Sequence, residues 1–219
     1  MTTVQDIDAG LAALEASGGS ATALPPGARD RLLAYIALLA KWNMTYNLTA
    51  IREPERMLTH HVLDALAVLP HLSDGASPTH LRVLDVGSGA GVPAIPVALA
   101  RPQWHVVALD SSHKKGAFLH QAINELPLQN AEAVVARVED YVPPAPFDVV
   151  ISRAFSDLAT FVETSARHLA PGGRLIAMKG VFPDEEIALL PPSVRVVAAP
   201  ALAVPGLDAE RHLIVMARA

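Results

Sequence analysis

The spacing of hydrophobic positions changes rhythm near residue 80. Before that point it is helical. Thr3 to Ser17 is a weak amphipathic segment, followed by a Gly/Ser/Pro-bearing break from Gly18 to Gly27. From Arg29 to Trp42, apolar residues fall at 32, 35, 36, 39 and 42, the three-and-four spacing of one helix face. Glu53-Pro54 opens another helix with proline in its first turn. Leu58, Val62, Ala65, Leu66 and Leu69 form its buried stripe, and Pro70 closes it. Between these helices, the stretch from Asn43 to Thr49 is too polar and too weakly periodic to be core.

From Leu81 the chain alternates short apolar runs with helical segments. Strands are predicted at Leu81–Val86, Trp104–Leu109, Ala131–Ala136, Phe147–Ser152 and Arg174–Lys179. Helices are predicted to open at Pro93, to follow a cap at Ser111 or Ser112, and to span Asp157–Leu169. Val194–Ala199 and Arg211–Ala217 are strand-like runs joined by a Pro/Gly-containing loop and no helix, so they should pair antiparallel. The pattern predicts an α/β sheet domain over residues 81–219 behind a helical extension over residues 1–80. There is no internal repeat, and Pro143-Pro144-Ala145-Pro146 reads as a rigid loop.

The stretch Asp85-Val86-Gly87-Ser88-Gly89-Ala90-Gly91-Val92-Pro93 links the first strand to the first helix of this domain. Such a turn is expected to present bare backbone N–H groups and a positive dipole end to a ligand. A dinucleotide fingerprint needs G-x-G-x-x-G, but Val92 fills the sixth place. The pattern D-x-G-x-G-x-G resembles the first motif of S-adenosylmethionine-dependent methyltransferases. The resemblance implies that Gly87, Gly89 and Gly91 let backbone close on the methionine part of the cofactor, and that Asp85 orients its ammonium end. Asp110, at the end of the second strand, is the expected partner of the ribose hydroxyls. The alternation ending in an antiparallel pair then matches a Rossmann-like, seven-stranded methyltransferase sheet.

With 219 residues, 51% of them hydrophobic, the chain can bury a full α/β core. It has no cysteine, which excludes disulfides and any thiolate mechanism, including the usual route to C5 methylation of pyrimidines. No apolar run reaches the roughly 18 residues of a membrane span, and a cytoplasmic location is expected. A net charge of -5 argues for a small-molecule substrate or for nucleic acid met through a local patch. A local excess exists: Arg29, Arg31, Lys41, Arg52 and Arg56 outweigh Asp30, Glu53 and Glu55, with His60 and His61 alongside. Arg52, Arg56, Lys114 and Lys115 are candidates for phosphate contacts. Trp42 and Tyr46 can offer stacking surfaces to a splayed base, although Trp42 by itself reads better as a core anchor.

Arg137-Val138-Glu139-Asp140 follows the third strand, where Val138 would meet the face of an adenine and Glu139 its edge, unless the run is simply solvated. Ile151-Ser152-Arg153-Ala154-Phe155 ends the fourth strand, where methyl transfer is expected. Enzymes acting on exocyclic amines often carry Asn/Asp-Pro-Pro-Tyr there. Arginine accepts no hydrogen bond and is no base at neutral pH, so the acceptor atom should need no deprotonation. A ring nitrogen such as guanine N7 fits. Arg153, the candidate catalytic residue, could instead bind a phosphate or the cofactor carboxylate, or form a surface ion pair. Lys179 ends the fifth strand on the same rim. His61 lies within an apolar stripe and reads as a packed, hydrogen-bonded histidine; no metal site is expected.

Several separate stretches resemble one family, the bacterial 16S rRNA guanine-N7 methyltransferases, also called glucose-inhibited division protein B. They include Trp42-Asn43 with Tyr46-Asn47-Leu48-Thr49, His61-Val62-Leu63-Asp64, the glycine stretch, Leu109-Asp110-Ser111 with Lys114-Lys115, and Arg137-Val138-Glu139. Ile151 to Phe155, Lys179-Gly180 and Glu210-Arg211-His212 complete the set, so the likeness runs from about residue 30 to 217. It implies cofactor contacts at Gly87, Val92, Val138, Glu139 and Arg153, and a guanine of the decoding-region loop as acceptor. The implied partner is 16S rRNA, within a small ribosomal subunit or its precursor; Tyr46, Asn47 and Lys179 join the substrate-side candidates, and neither DNA nor membrane is expected. Two departures stand out: Ala94 where a further glycine is expected, and Gly116 where a basic residue is more usual, which would trim positive charge on the RNA side. The competing functions are a small-metabolite methyltransferase with the N-terminal helices as a lid, and a non-catalytic cofactor-binding module.

Overall fold

The computed structural model describes residues 2–16, 23–73 and 79–219. Residues 18–22 of the expected N-terminal break lie outside them. Five parallel strands, β1 (Arg82–Val86), β2 (His105–Asp110), β3 (Ala131–Val135), β4 (Phe147–Arg153) and β5 (Leu169–Lys179), begin the sheet. It is completed by β6 (Val194–Ala198) and β7 (His212–Arg218) in the order β3-β2-β1-β4-β5-β7-β6. β7 lies antiparallel between β5 and β6, as two strands joined without a crossover helix must.

Alternation along each strand assigns its two faces. Val83, Val106, Val149 and Ile176 belong to one hydrophobic cluster, whereas Leu84, Val107, Val150 and Leu175 belong to the other. The first face is covered by α5 (Ala94–Ala100) and α6 (His113–Glu125), and the second by α7 (Leu158–Ser165). The N-terminal helices α1 (Val4–Ala16) and α2 (Ala28–Tyr46) join the first cluster through Ile7, Leu14, Leu32 and Leu39. Phe118 of α6 is fully buried there, and its truncation to alanine should cost about 3–5 kcal/mol.

Four elements differ from the sequence expectation. α2 does not stop at Trp42 but runs to Tyr46, so residues 43–46 are helical. Their polarity misleads because Asn43 is buried and spends its amide on the following loop, donating to the Ile51 carbonyl (3.1 Å) and accepting from the Thr49 N–H (2.9 Å). Towards the other end, α7 stops at Ser165 and a 3₁₀ turn covers Ala166–His168. β5 then begins at Leu169, paired with Phe147, ahead of a Pro171-Gly172-Gly173 stretch whose composition argues against a strand. Finally, α8 (Asp184–Ala188) is unexpected, and it buries no residue that periodicity could reveal.

The third N-terminal helix starts at Pro54 as expected: α3 (Pro54–Met57) passes into a π-helical segment (Leu58–Leu63) and then α4 (Asp64–Leu66). Its stripe is buried throughout. The π segment sets the His60 carbonyl and His61 against Arg153 at the carboxyl end of β4, where the site lies.

Candidate cofactor and acceptor site

The glycine loop is a rigid turn. Gly87 (φ 74°) and Gly91 (φ 83°) take left-handed conformations, and a Cβ on Gly91 would stand 2.5 Å from Ile95 Cγ1. Five of the loop's N–H groups are not bare. Gly87 and Ser88 donate to the Leu109 carbonyl, Gly89 donates to Asp110, and Gly91 and Val92 donate to the Ser88 carbonyl. The expectation of free donors facing a ligand is therefore corrected: those groups hold the turn's shape.

Asp85 is fully buried behind this loop rather than on the cavity wall. One carboxylate oxygen accepts from the Ser88 hydroxyl (2.6 Å) and the Ala94 N–H (3.1 Å). The other, Oδ1, is buried with no hydrogen-bond partner. Burial outweighs the two hydrogen bonds and pushes the carboxyl up to about 6. Ala94, noted as a departure from the family pattern, thus supplies a backbone donor that any residue retains.

A cavity of about 300 Å³ opens over the carboxyl ends of β1, β2 and β4. Gly87, Asp110, Val138, Glu139 and Arg153 all line it; Val92 is buried in the loop behind. Asp110 accepts N–H groups from Gly89 and Ser112 (both 2.9 Å), and Ser112 is the residue that caps α6. Lys115 also faces this cavity, with Nζ 3.6 Å from Asp110 Oδ2. Sequence reasoning missed Arg167 and His168. Both donate to the Val138 carbonyl (3.1 and 2.9 Å), and Arg167 also reaches the Glu139 carbonyl, which fixes the wall opposite Asp110. They lie at the basic end of a predicted helix, in no recognisable motif.

Arg153 ends β4 and reaches across to the N-terminal helices. Its Nη1 donates to the His60 carbonyl (2.8 Å) and to Asp64 Oδ2 (3.2 Å), with His61 Nδ1 at 3.4 Å. His61 is buried, and its Nε2 lies 2.9 Å from the Thr49 hydroxyl. Burial and the neighbouring guanidinium lower its pKa to about 4, so it is neutral at pH 7. Arg211, at the approach to β7, donates from Nε to the other Asp64 oxygen at 3.0 Å.

A second cavity of about 340 Å³ shares Arg153 and Ala154 with the first, and is walled by Asp64, Lys179, Gly180 and Arg211. Lys179 is paired with Glu186 (2.7 and 3.0 Å), whose carboxylate also accepts the Leu158 N–H. Ala154 holds φ at 62°, an uncommon conformation for a residue with a Cβ, where the two cavities meet.

The remaining candidates lie on the surface. Tyr46 is exposed and stacks on Trp42, with centroids 5.0 Å apart; Trp42 is half-buried and meets Phe118 edge-on. Asn47 closes α2 in a left-handed conformation. Arg52 and Lys114 are exposed, and Arg56 stands 3.6 Å from Glu53. Gly116 does not face solvent: it is buried under β3, and a Cβ would meet Val135 Cγ2 at 2.2 Å. Among the described residues no group of three or more His, Asp or Glu side chains could hold a metal ion. No helix among them is long and apolar enough to cross a membrane.

The glycine turn, the acidic end of β2 and the order of a sheet with one inserted antiparallel strand define the fold of S-adenosylmethionine-dependent methyltransferases. Solved structures agree. A methyltransferase from Aquifex aeolicus aligns with TM-score 0.57 and 20% identity over 81% of this chain and 97% of its own. The glycopeptide N-methyltransferase MtfA, crystallised with sinefungin, aligns with TM-score 0.61 and 15% identity over 73% of this chain and 87% of its own.

The chain belongs to the rRNA small subunit methyltransferase G (GidB) family, whose profile matches residues 28–214. Curated relatives bearing the name ribosomal RNA small subunit methyltransferase G include one from Nitrosospira multiformis, 56% identical over 86% of this chain and 88% of its own length. Another, from Burkholderia pseudomallei, is 54% identical over 93% of this chain and 90% of its own.

Proposed function

We propose that this protein transfers the methyl group of S-adenosylmethionine to N7 of a guanine in the decoding-region loop of 16S rRNA. The reading rests on one observation above the others. Two cavities meet at Arg153 and Ala154, and the second is walled by Arg153, Lys179 and Arg211 around a buried Asp64. Asp64 is held by two arginines, and His61, lowered to about 4, is a poor base for an amine. Guanine N7 has an in-plane lone pair and no proton, so the protein needs no group to remove one.

The first cavity suits the cofactor. Asp110 offers a carboxylate for ribose hydroxyls, Val138 an apolar face for the adenine and Glu139 a polar edge, while Arg153 offers a guanidinium for the methionine carboxylate. Asp85 Oδ1, buried and unpartnered, is a negative locus behind the loop that acts on an ammonium group through its field and not by contact. When bound, S-adenosylmethionine supplies an electrophilic methyl group on a sulfonium. The chain's own contribution is alignment, which can supply several kcal/mol.

The second cavity is the acceptor pocket in this reading, with Lys179 on its wall. Tyr46, Asn47, Arg52, Arg56 and Lys114 form the RNA-facing surface of the helical extension, residues 1–80, and of α6. Lys115 turns onto Asp110 and so belongs to the cofactor side instead. The substrate is a small subunit or its precursor, assembled in the cytoplasm. Nucleoside mass spectrometry of 16S rRNA from a deletion strain tests the reading. Loss of one 7-methylguanosine, restored by the wild-type chain, is expected; unchanged rRNA would leave a small-metabolite enzyme or a cofactor-binding module.

A further inference from the structure

We propose that Asp64 is the positioning residue of the acceptor pocket, setting Arg153 and Arg211 at its wall from a helix outside the cofactor-binding sheet. This rests on the reading of the second cavity as the place of the acceptor nucleotide. Asp64 is completely buried, and each of its oxygens holds a different arginine: Oδ2 takes Arg153 Nη1 at 3.2 Å and Oδ1 takes Arg211 Nε at 3.0 Å. The arginine side chains keep 25% and 22% exposure, and Arg211 Nη1 also donates to the Glu210 carbonyl at 2.9 Å. Both line the second cavity, and Arg153 lines the first as well.

The charges explain why one carboxylate matters to both. Two guanidinium groups at one cavity repel, and a single buried anion between them offsets that repulsion while leaving one positive charge in excess. Lys179, on the same wall, is matched by Glu186. The excess at the arginine pair suits an electron-rich oxygen of the acceptor nucleotide, whether guanine O6 or a phosphate oxygen. Local structure sharpens the placement. The helix takes a π turn over Leu58–Leu63, a form that recurs at functional sites, and the His60 carbonyl within it accepts Arg153 Nη1 at 2.8 Å. Arg153 is thus fixed from two consecutive turns, and Asp64 is the one charged member.

The test is a double-variant cycle on the full chain with small subunits as substrate, read as the single-turnover methylation rate at saturating cofactor and subunit. Asp64→Asn keeps shape and removes the charge. It is expected to lower the rate by about 10²-fold, the cost of misplacing reacting groups by about 1 Å. Arg211→Gln should lower it too, and the double variant should be no slower than the slower single one, because the two residues act through one contact. A purely structural loss would instead appear in the melting temperature and multiply in the double variant. If Asp64→Asn does not fold, Asp64→Glu, which keeps the charge but moves it by a methylene, is expected to fold and still lose rate. An Asp64→Asn (or Asp64→Glu) rate within about threefold of wild type, or losses that multiply, overturns the proposal. Failure of the wild-type chain to methylate guanine N7 at all would sink the functional reading instead, so the two failures are distinguishable.

Discussion

Gly89 donates its backbone N–H to the Asp110 carboxylate at 2.9 Å, joining the glycine turn after β1 to the acidic end of β2. The same carboxylate takes the Ser112 N–H at the start of α6. One side chain therefore holds two walls of the first cavity in register.

Asp110→Ala should accordingly lose stability and cofactor affinity together. Two N–H groups lose their acceptor, at about 1–3 kcal/mol for each that stays dry. Thermal unfolding with and without S-adenosylmethionine reads both effects. A ligand at about 100 times its Kd stabilises by ~2.7 kcal/mol. The wild type should show that ligand-induced rise in Tm, and the variant a much smaller one. An undiminished rise in a folded Asp110→Ala variant would remove Asp110 from the cofactor site.

Stability against pH provides a second prediction, because two buried groups oppose each other. Asp85 is raised from 3.8 to about 6, so the folded state binds the extra proton between those values and this contribution falls as pH rises. His61 is lowered from 6.5 to about 4, so the unfolded state binds the extra proton there and this contribution falls as pH drops. Between about pH 4 and 6 the two slopes nearly cancel. Asp85→Asn should therefore gain on wild type as pH rises across that window, and His61→Gln should gain as pH falls. Each difference is on the order of 2–3 kcal/mol. Urea unfolding at several pH values measures them, and parallel curves for wild type and both variants would contradict the assignment.

Neutralising Lys114 and Lys115 should have different consequences, though the two are neighbours in sequence. Lys114 is exposed, whereas Lys115 lies against Asp110 in the first cavity. Lys114→Gln, like Arg52→Gln and Arg56→Gln, should weaken subunit binding and reduce the salt slope by roughly 0.7–0.9 for each phosphate no longer neutralised. Lys115→Gln should leave that slope alone and change cofactor affinity. Equal effects of the two lysines on the slope would put Lys115 on the RNA side.

The same pair shows what the sequence can and cannot tell. Periodicity and the glycine pattern located all seven strands and several residues that line the first cavity, because alternation, Gly φ angles and caps are local properties. The direction in which a long side chain turns is not local. Lys115 bends onto a residue five positions back, and Arg153 spans 89 positions to Asp64. Gly116 reads as a missing charge because helix position alone does not reveal how closely α6 lies on Val135. Arg167 and His168 are silent for another reason: they act on the cavity wall through the Val138 carbonyl, and backbone acceptors leave no trace in a sequence.

The chemistry itself makes the sharpest prediction. An acceptor nitrogen without a proton requires alignment, and alignment should not titrate between about pH 6.5 and 9. His61 is lowered to about 4, well below that window, so its protonation cannot shape the rate there. Under single-turnover conditions at saturating subunit and cofactor, the methylation rate should be nearly flat. Arg153→Ala should lower the rate by about 10²-fold, since it removes the group shared by both cavities. Lysine at that position should recover part of the loss, because it restores the charge but not the forked geometry. The pH profile of both variants should stay flat, since Arg153 is not a base. A rate climbing tenfold per pH unit across the window, with the slope abolished in a single His or Asp variant, would show a base at work. That result would point to an amine or hydroxyl acceptor in place of N7.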